Sequence, residues 1–109
     1  VGLVSFGGIA RALAAKLVAG GIRVLAYDPF VDAGTAALAE VELVTLEEVF
    51  SLPEVVSCHA PLNPATEGLV TRELLDSLRP GAVFLNTARG QVVAPGALED
   101  VFGRRPDLT

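Results

Sequence analysis

Few residues in this chain have the type and setting to do chemistry: Arg89 in Asn86-Thr87-Ala88-Arg89-Gly90, Asp28 ahead of Pro29, the Gly7-Gly8 pair, and His59 beside Cys58. Arg89 follows the apolar run Ala82-Val83-Phe84-Leu85. That order places a permanently charged guanidinium past the carboxyl end of a buried strand, where open α/β sheets bind ligands. A guanidinium matches a carboxylate through two parallel hydrogen bonds, so an anionic substrate suits it. An ion pair with a helix end, or plain solvation, is the alternative. Cys58 follows Val55-Val56-Ser57 and reads as a buried structural thiol. His59, a lone histidine after a strand, reads as structural rather than as a proton donor. No metal site is expected.

The elements that must hold these groups alternate. Val1 to Ser5 reads as a buried strand, Phe6-Gly7-Gly8 as a turn, and Ile9, Leu13 and Leu17 with Ala10, Ala14 and Val18 as a helical stripe ended by Gly20-Gly21. Ile22 to Tyr27 is a second strand, followed by a small helix near Gly34 to Glu40 and a brief apolar run at Val41 to Val44. Thr45-Leu46-Glu47-Glu48 is a capping box opening a short helix that stops before Pro53. Val55 to Cys58 is a strand, and His59 to Thr66 is a loop whose prolines forbid helix. Thr71 caps the next helix, Ala82 to Leu85 is a strand, and Pro95 is expected at the first position of a last helix, Ala97 to Phe102, with Gly103 as its stop. Strands apolar on both faces alternating with helices predict a Rossmann-type, doubly wound parallel sheet.

Within that plan the segment Ser5-Phe6-Gly7-Gly8-Ile9-Ala10 occupies the place of a phosphate-binding glycine turn. Gly7 keeps the position that lets backbone approach phosphate. Ala10, at the third glycine position, still permits close helix–strand packing, whereas Ser5, at the first, adds a side chain where a tight turn is wanted. Asp28 follows Gly7 by about 20 residues, the spacing of an acid that accepts from ribose hydroxyls, and its charge favours NAD by repelling the 2′-phosphate of NADP. Taken singly, an ordinary strand-to-helix loop and an Asp-Pro turn account for these residues. Their spacing inside one strand-helix-strand unit points to a dinucleotide.

Composition sets bounds. The chain has 109 residues and is 51% hydrophobic, which excludes a disordered chain and predicts a packed core. No apolar run approaches the roughly 20 residues of a membrane span, and no signal peptide is recognisable. Thirteen acidic against eight basic residues give a net charge of −5, which argues against nucleic acid or a membrane surface as partner. One cysteine fits a reducing, cytoplasmic setting. The opening inside a strand-like run, and the end just after a helix, predict truncation at both ends, a missing sixth strand, and an exposed sheet edge.

The segments Val1-Gly2-Leu3-Val4-Ser5-Phe6-Gly7, Ala26-Tyr27-Asp28-Pro29, Cys58 to Thr66, Arg79-Pro80-Gly81-Ala82 and Asn86 to Gly90 occur in one order over nearly the whole chain. In that order they resemble the NAD-binding domain of the D-isomer-specific 2-hydroxyacid dehydrogenases. The resemblance implies that residues 1–109 are an incomplete NAD-binding domain, with the substrate-binding domain and a C-terminal catalytic segment elsewhere. It implies that Gly8 and Ile9 lie against the pyrophosphate and Asp28 against the adenosine ribose, while Ala60, Pro61, Thr66, Thr87 and Ala88 border the nicotinamide side. Arg89 matches the arginine that binds the substrate carboxylate and polarises the carbonyl receiving hydride. The family's proton-donating histidine has no match here, since His59 matches a cofactor-loop residue. Gly8 stands where many members carry arginine, and Val93-Ala94-Pro95 replaces an acidic pair at the last helix. The implied parent is an oxidoreductase moving hydride between NAD and a 2-hydroxy or 2-keto acid, and a homodimer. The alternatives are a dinucleotide-sensing regulator of the co-repressor type and a different NAD enzyme such as an adenosylhomocysteine hydrolase, which would not call for arginine after Asn-Thr-Ala.

Overall fold

The short apolar runs pair as parallel strands in a computed structural model that describes residues 1–109. The elements are β1 (Gly2–Val4), α1 (Gly8–Ala19), β2 (Leu25–Tyr27), α2 (Ala33–Leu38), β3 (Glu42–Leu43), α3 (Leu46–Ser51), β4 (Val55–Cys58), α4 (Arg72–Asp76), β5 (Val83–Asn86) and α5 (Ala97–Arg104). Strand order is β3-β2-β1-β4-β5, parallel throughout. The order reverses at β1, whose neighbours are β2 and β4, so the carboxyl end of β1 is the topological switch point at which such sheets bind ligands. No helix is long and apolar enough to cross a membrane.

Alternation along β1 divides the core. Leu3 joins Phe6, Ala10, Ala14, Val24, Ala26 and Val41 on the α1 side, while Val4 joins a larger cluster with Phe50, Val56, Leu75 and Val101 on the other. Both faces are covered, which explains strands apolar on both sides. Gly2 is required by close approach: a Cβ there would lie 2.6 Å from the Val49 carbonyl oxygen and 2.7 Å from Pro53 Cγ. α1 ends in a Schellman motif, with Gly21 at φ +80°, its N–H donating to Val18 O and that of Ile22 to Leu17 O, both at 2.9 Å. The Thr45–Glu48 capping box and the Thr71 cap form as expected.

Four expectations need correction. The N-cap of α5 is Gly96 at φ +74°, so Pro95 lies outside the helix, and the helix runs through Gly103 to Arg104. Its stop is the residue before Pro106: Arg105 leaves the helical region because the following proline ring clashes with a helical predecessor. Ile9 does not join the buried stripe. It is 78% exposed because the buried stripe of α1 is centred on Ala10 and Ala14, which turns the neighbouring Ile9 outward. β2 begins at Leu25 rather than Ile22, because Gly21 and Ile22 belong to the helix stop. The outer edge of β5 is partly paired: Thr109 N–H donates to Ala82 O at 3.1 Å and Phe84 N–H to Thr109 O at 2.8 Å.

Candidate functional site

The turn after β1 is built on Ser5, whose backbone adopts φ +75°. An L-residue in that region costs about 1 kcal/mol relative to glycine. Two hydrogen bonds hold it there: Ser5 N–H donates to Tyr27 O at 2.8 Å, and Phe6 N–H donates to Asp28 Oδ2 at 2.8 Å. The chain then enters α1 through Gly7, an N-cap without a side-chain acceptor, and the first turn carries no acid. Its first backbone donors therefore have no partner in the helix or its cap, and the helix dipole adds positive potential, a setting that suits an anion. Gly7 and Gly8 are exposed, with nothing within 4 Å of a Cβ at either, so the backbone is open to a ligand. Arg11 turns back onto the loop, with Nε donating to Phe6 O at 3.1 Å and its guanidinium 5.4 Å from the Phe6 ring centroid.

Asp28 stands just past β2 and serves several donors. Oδ2 accepts from Phe6 N–H and, at 3.4 Å, from the Ser5 hydroxyl, while Oδ1 accepts from Phe30 N–H at 2.8 Å. Oδ1, with one donor, retains acceptor capacity for a further hydroxyl, and Oδ2 gains it when the Ser5 hydroxyl turns away.

The loop after β4 is fixed by its own side chains. Asn63 Oδ1 accepts from the N–H groups of Ala65 at 2.9 Å and Thr66 at 3.1 Å, and Asn63 N–H donates to Thr66 Oγ1 at 3.0 Å. The Thr66 hydroxyl donates to Pro61 O, tying the loop's far end to its start. After β5, Asn86 Oδ1 accepts from Ala88 N–H at 3.0 Å and turns the chain toward Arg89.

His59 joins these two loops. Its Nε2 lies 2.9 Å from Ser57 Oγ and its Nδ1 3.1 Å from Thr87 Oγ1, which is itself 3.0 Å from Cys58 O. The carbonyl can only accept, so Thr87 donates to it and accepts from Nδ1–H, and the Ser57 hydroxyl donates to Nε2. Every member is satisfied with a neutral ring, and burial likewise holds the His59 pKa below its ordinary value. Burial pushes the Cys58 thiol up, consistent with a structural role.

Three adjoining cavities run along the carboxyl ends of the strands, and Pro61 lines all of them. The first, about 630 Å³, is bordered by Ser5, Asp28, Phe30, Ala60 and Thr66. The second, about 440 Å³, is bordered by Gly7, Gly8, Ile9, His59, Thr87 and Ala88, with Ser5 at the junction. The third, about 430 Å³, holds Ala60, Leu62, Thr87, Ala88 and Arg89. Every residue assigned to cofactor or substrate from the sequence thus lies on one trough, with Asp28 and Arg89 at opposite ends, while Cys58 is buried away from it. Thr66 borders the Asp28 end rather than the Arg89 end. Arg23, Arg72, Arg79, Arg104 and Arg105 are ion-paired and Arg11 is bonded to the turn after β1. The exposed Arg89 guanidinium makes no ion pair or side-chain hydrogen bond in the chain and faces this trough. An acceptor for a diol, an open helix N-terminus and a free guanidinium, in that order, fit a dinucleotide followed by an anionic substrate. The sequence reading missed Asn63, Ser57 and the Ser5 conformation. The Asn63-x-x-Thr66 spacing, that of a reciprocal cap, was the available signal for the first.

Residues 1–105 match the family described as D-isomer specific 2-hydroxyacid dehydrogenase, NAD binding domain. The chain is 38% identical over 102 residues to D-3-phosphoglycerate dehydrogenase of Mycobacterium bovis, covering 94% of this chain and 19% of that protein. It is 43% identical to (S)-sulfolactate dehydrogenase of Chromohalobacter salexigens, covering 97% of this chain and 39% of that protein. The NAD-complexed D-isomer specific 2-hydroxyacid dehydrogenase of Lactobacillus delbrueckii superposes with a TM-score of 0.86 at 29% identity, covering 99% of this chain and 33% of that one. The chain therefore spans about a fifth to two fifths of the length of these relatives.

Proposed function

The chain belongs to the NAD-binding domain family of the D-isomer-specific 2-hydroxyacid dehydrogenases, and from that premise we propose that it serves a parent dehydrogenase converting a 2-hydroxy acid and its 2-keto acid. The observation that carries this is the trough with Asp28 at one end, the α1 N-terminus in the middle and a partner-free Arg89 at the other. The bound cofactor would carry the hydride, giving it as NADH to the 2-keto acid and taking it as NAD from the 2-hydroxy acid. Asp28 accepts from the adenosine ribose hydroxyls, and the backbone of Gly7, Gly8 and Ile9 holds the pyrophosphate. Ala60, Pro61 and Thr66 form the wall of the trough, with Thr66 acting on it through the Pro61 carbonyl. Thr87 and Ala88 set the position of Arg89, which binds the substrate carboxylate and stabilises negative charge developing on the carbonyl oxygen.

His59 is committed on both ring nitrogens, so the proton that accompanies hydride transfer comes from another group of the parent. Residues 1–109 form part of the NAD-binding domain, a separate domain of the parent binds substrate, and the parent is a cytoplasmic homodimer. The relatives above are named as dehydrogenases, which favours hydride transfer over a regulatory role. The test is titration of the full-length protein with NADH, followed by fluorescence, and then NADH oxidation with a panel of 2-keto acids. Absence of binding would refute the cofactor reading. Binding without turnover of any 2-keto acid would favour a regulator.

A further inference from the structure

We infer that Ser5 is a second ribose-recognising group, its hydroxyl working with the Asp28 carboxylate on the adenosine diol. This rests on the NAD reading above and adds a residue to it. The Ser5 hydroxyl lies 3.4 Å from Asp28 Oδ2, at the long limit of a hydrogen bond, so it is loosely held and free to reorient toward a ligand. Ser5 is half-buried and borders both the Asp28 cavity and the phosphate-loop cavity, the junction where a ribose must sit if its two flanking groups occupy them.

The chemistry of the pair is complementary. Asp28 can only accept, and it already takes two backbone N–H groups. A hydroxyl both donates and accepts, so a ribose oxygen that has given its proton to Asp28 finds a donor in Ser5, and a ribose O–H finds an acceptor in its lone pairs. Glycine would meet the backbone requirement of φ +75° without strain but would offer neither function.

The test uses the full-length protein and its Ser5→Gly and Ser5→Ala variants. Binding of NADH, ADP, 2′-deoxy-ADP and 3′-deoxy-ADP is measured by calorimetry, with the melting temperature of each apo protein. If Ser5 contacts the diol, both variants weaken NADH and ADP by about 2- to 10-fold, the range of one neutral hydrogen bond. They leave unchanged the affinity for whichever deoxy analogue lacks the contacted hydroxyl. Ser5→Gly does so while raising the melting temperature, which separates ligand contact from turn strain. If Ser5→Gly binds NADH and ADP as tightly as the parent, with the same preference for ribose over both deoxyriboses, the inference is overturned and Ser5 merely fills the turn. If the unsubstituted protein binds neither NADH nor ADP, the NAD reading fails first and this inference with it.

Discussion

Replacing Asp28 by alanine should have two separable effects, because its carboxylate is shared between the protein and the proposed ribose. In the apo protein the substitution removes the acceptor of Phe6 N–H and of Phe30 N–H, both at 2.8 Å. Their fates differ. Phe6 is fully buried, so its N–H is left without a partner, a loss of about 1–3 kcal/mol. Phe30 is 92% exposed, and its N–H turns to water at little cost. Asp28→Ala should therefore destabilise the apo protein by about 1–3 kcal/mol, through one hydrogen bond. Loss of charge-assisted bonds to the ribose should weaken NADH by about 10- to 100-fold and narrow the preference for NADH over NADPH. Asp28→Asn keeps an oxygen for Phe6 N–H, so it should recover most of the stability and little of the affinity. The assays are calorimetric unfolding of the full-length apo proteins and NADH and NADPH titrations. Unchanged stability in Asp28→Ala would refute the part assigned to Phe6 N–H, and undiminished NADH binding would refute the ribose assignment.

Other substitutions address single links. Arg89→Lys should lower kcat/KM for a 2-keto acid by about 100-fold, because a point charge replaces a two-pronged donor, with NADH affinity and melting temperature unmoved since Arg89 has no partner in the chain; steady-state kinetics and melting would check this. Gly2→Ala should destabilise by about 1–3 kcal/mol in calorimetry, since the new methyl meets backbone 2.6 Å away; a neutral result would show that α3 shifts freely. For His59 the folded pKa lies below the ordinary value of 6.5, so the unfolded chain binds the proton more readily. Stability contributed by the neutral ring is then present above pH 6.5 and lost as pH falls through the folded value, and His59→Gln should flatten that limb of a melting-versus-pH profile.

Much of this site was legible because it is local. The Thr45–Glu48 box and the Thr71 cap each involve residues three apart, and both form. The β1–turn–α1–β2 unit likewise places Asp28 beside the glycine turn by spacing alone. What escaped depends on neighbours distant in sequence or on backbone state. Ile9 matches a helical stripe, yet the face of α1 that meets the sheet is centred on Ala10 and Ala14 and turns Ile9 outward, which the spacing of apolar residues does not reveal. Pro95 suits a first helical position, but Gly96 takes the capping place and Arg105, ahead of Pro106, sets the end. The Ser57–His59–Thr87 relay joins two strands 28 residues apart, and only their adjacency in the sheet exposes it.

The division of the core by the sheet has a consequence for how the molecule breathes. Seven buried residues pack on the α1 face and sixteen on the other. Opening free energy follows local burial, so α1, β2 and β3 should exchange their amide hydrogens sooner than β4, α4 and α5. The trough crosses this divide: Ser5 and Asp28 stand at the ends of β1 and β2, Pro61 and Thr87 beyond β4 and β5. A ligand spanning it fastens the looser layer to the firmer one, and protection gained on binding should concentrate in α1 and β2. Loosening the α1 layer at positions remote from the trough, such as Ala14 or Val24, would then weaken NADH without touching it.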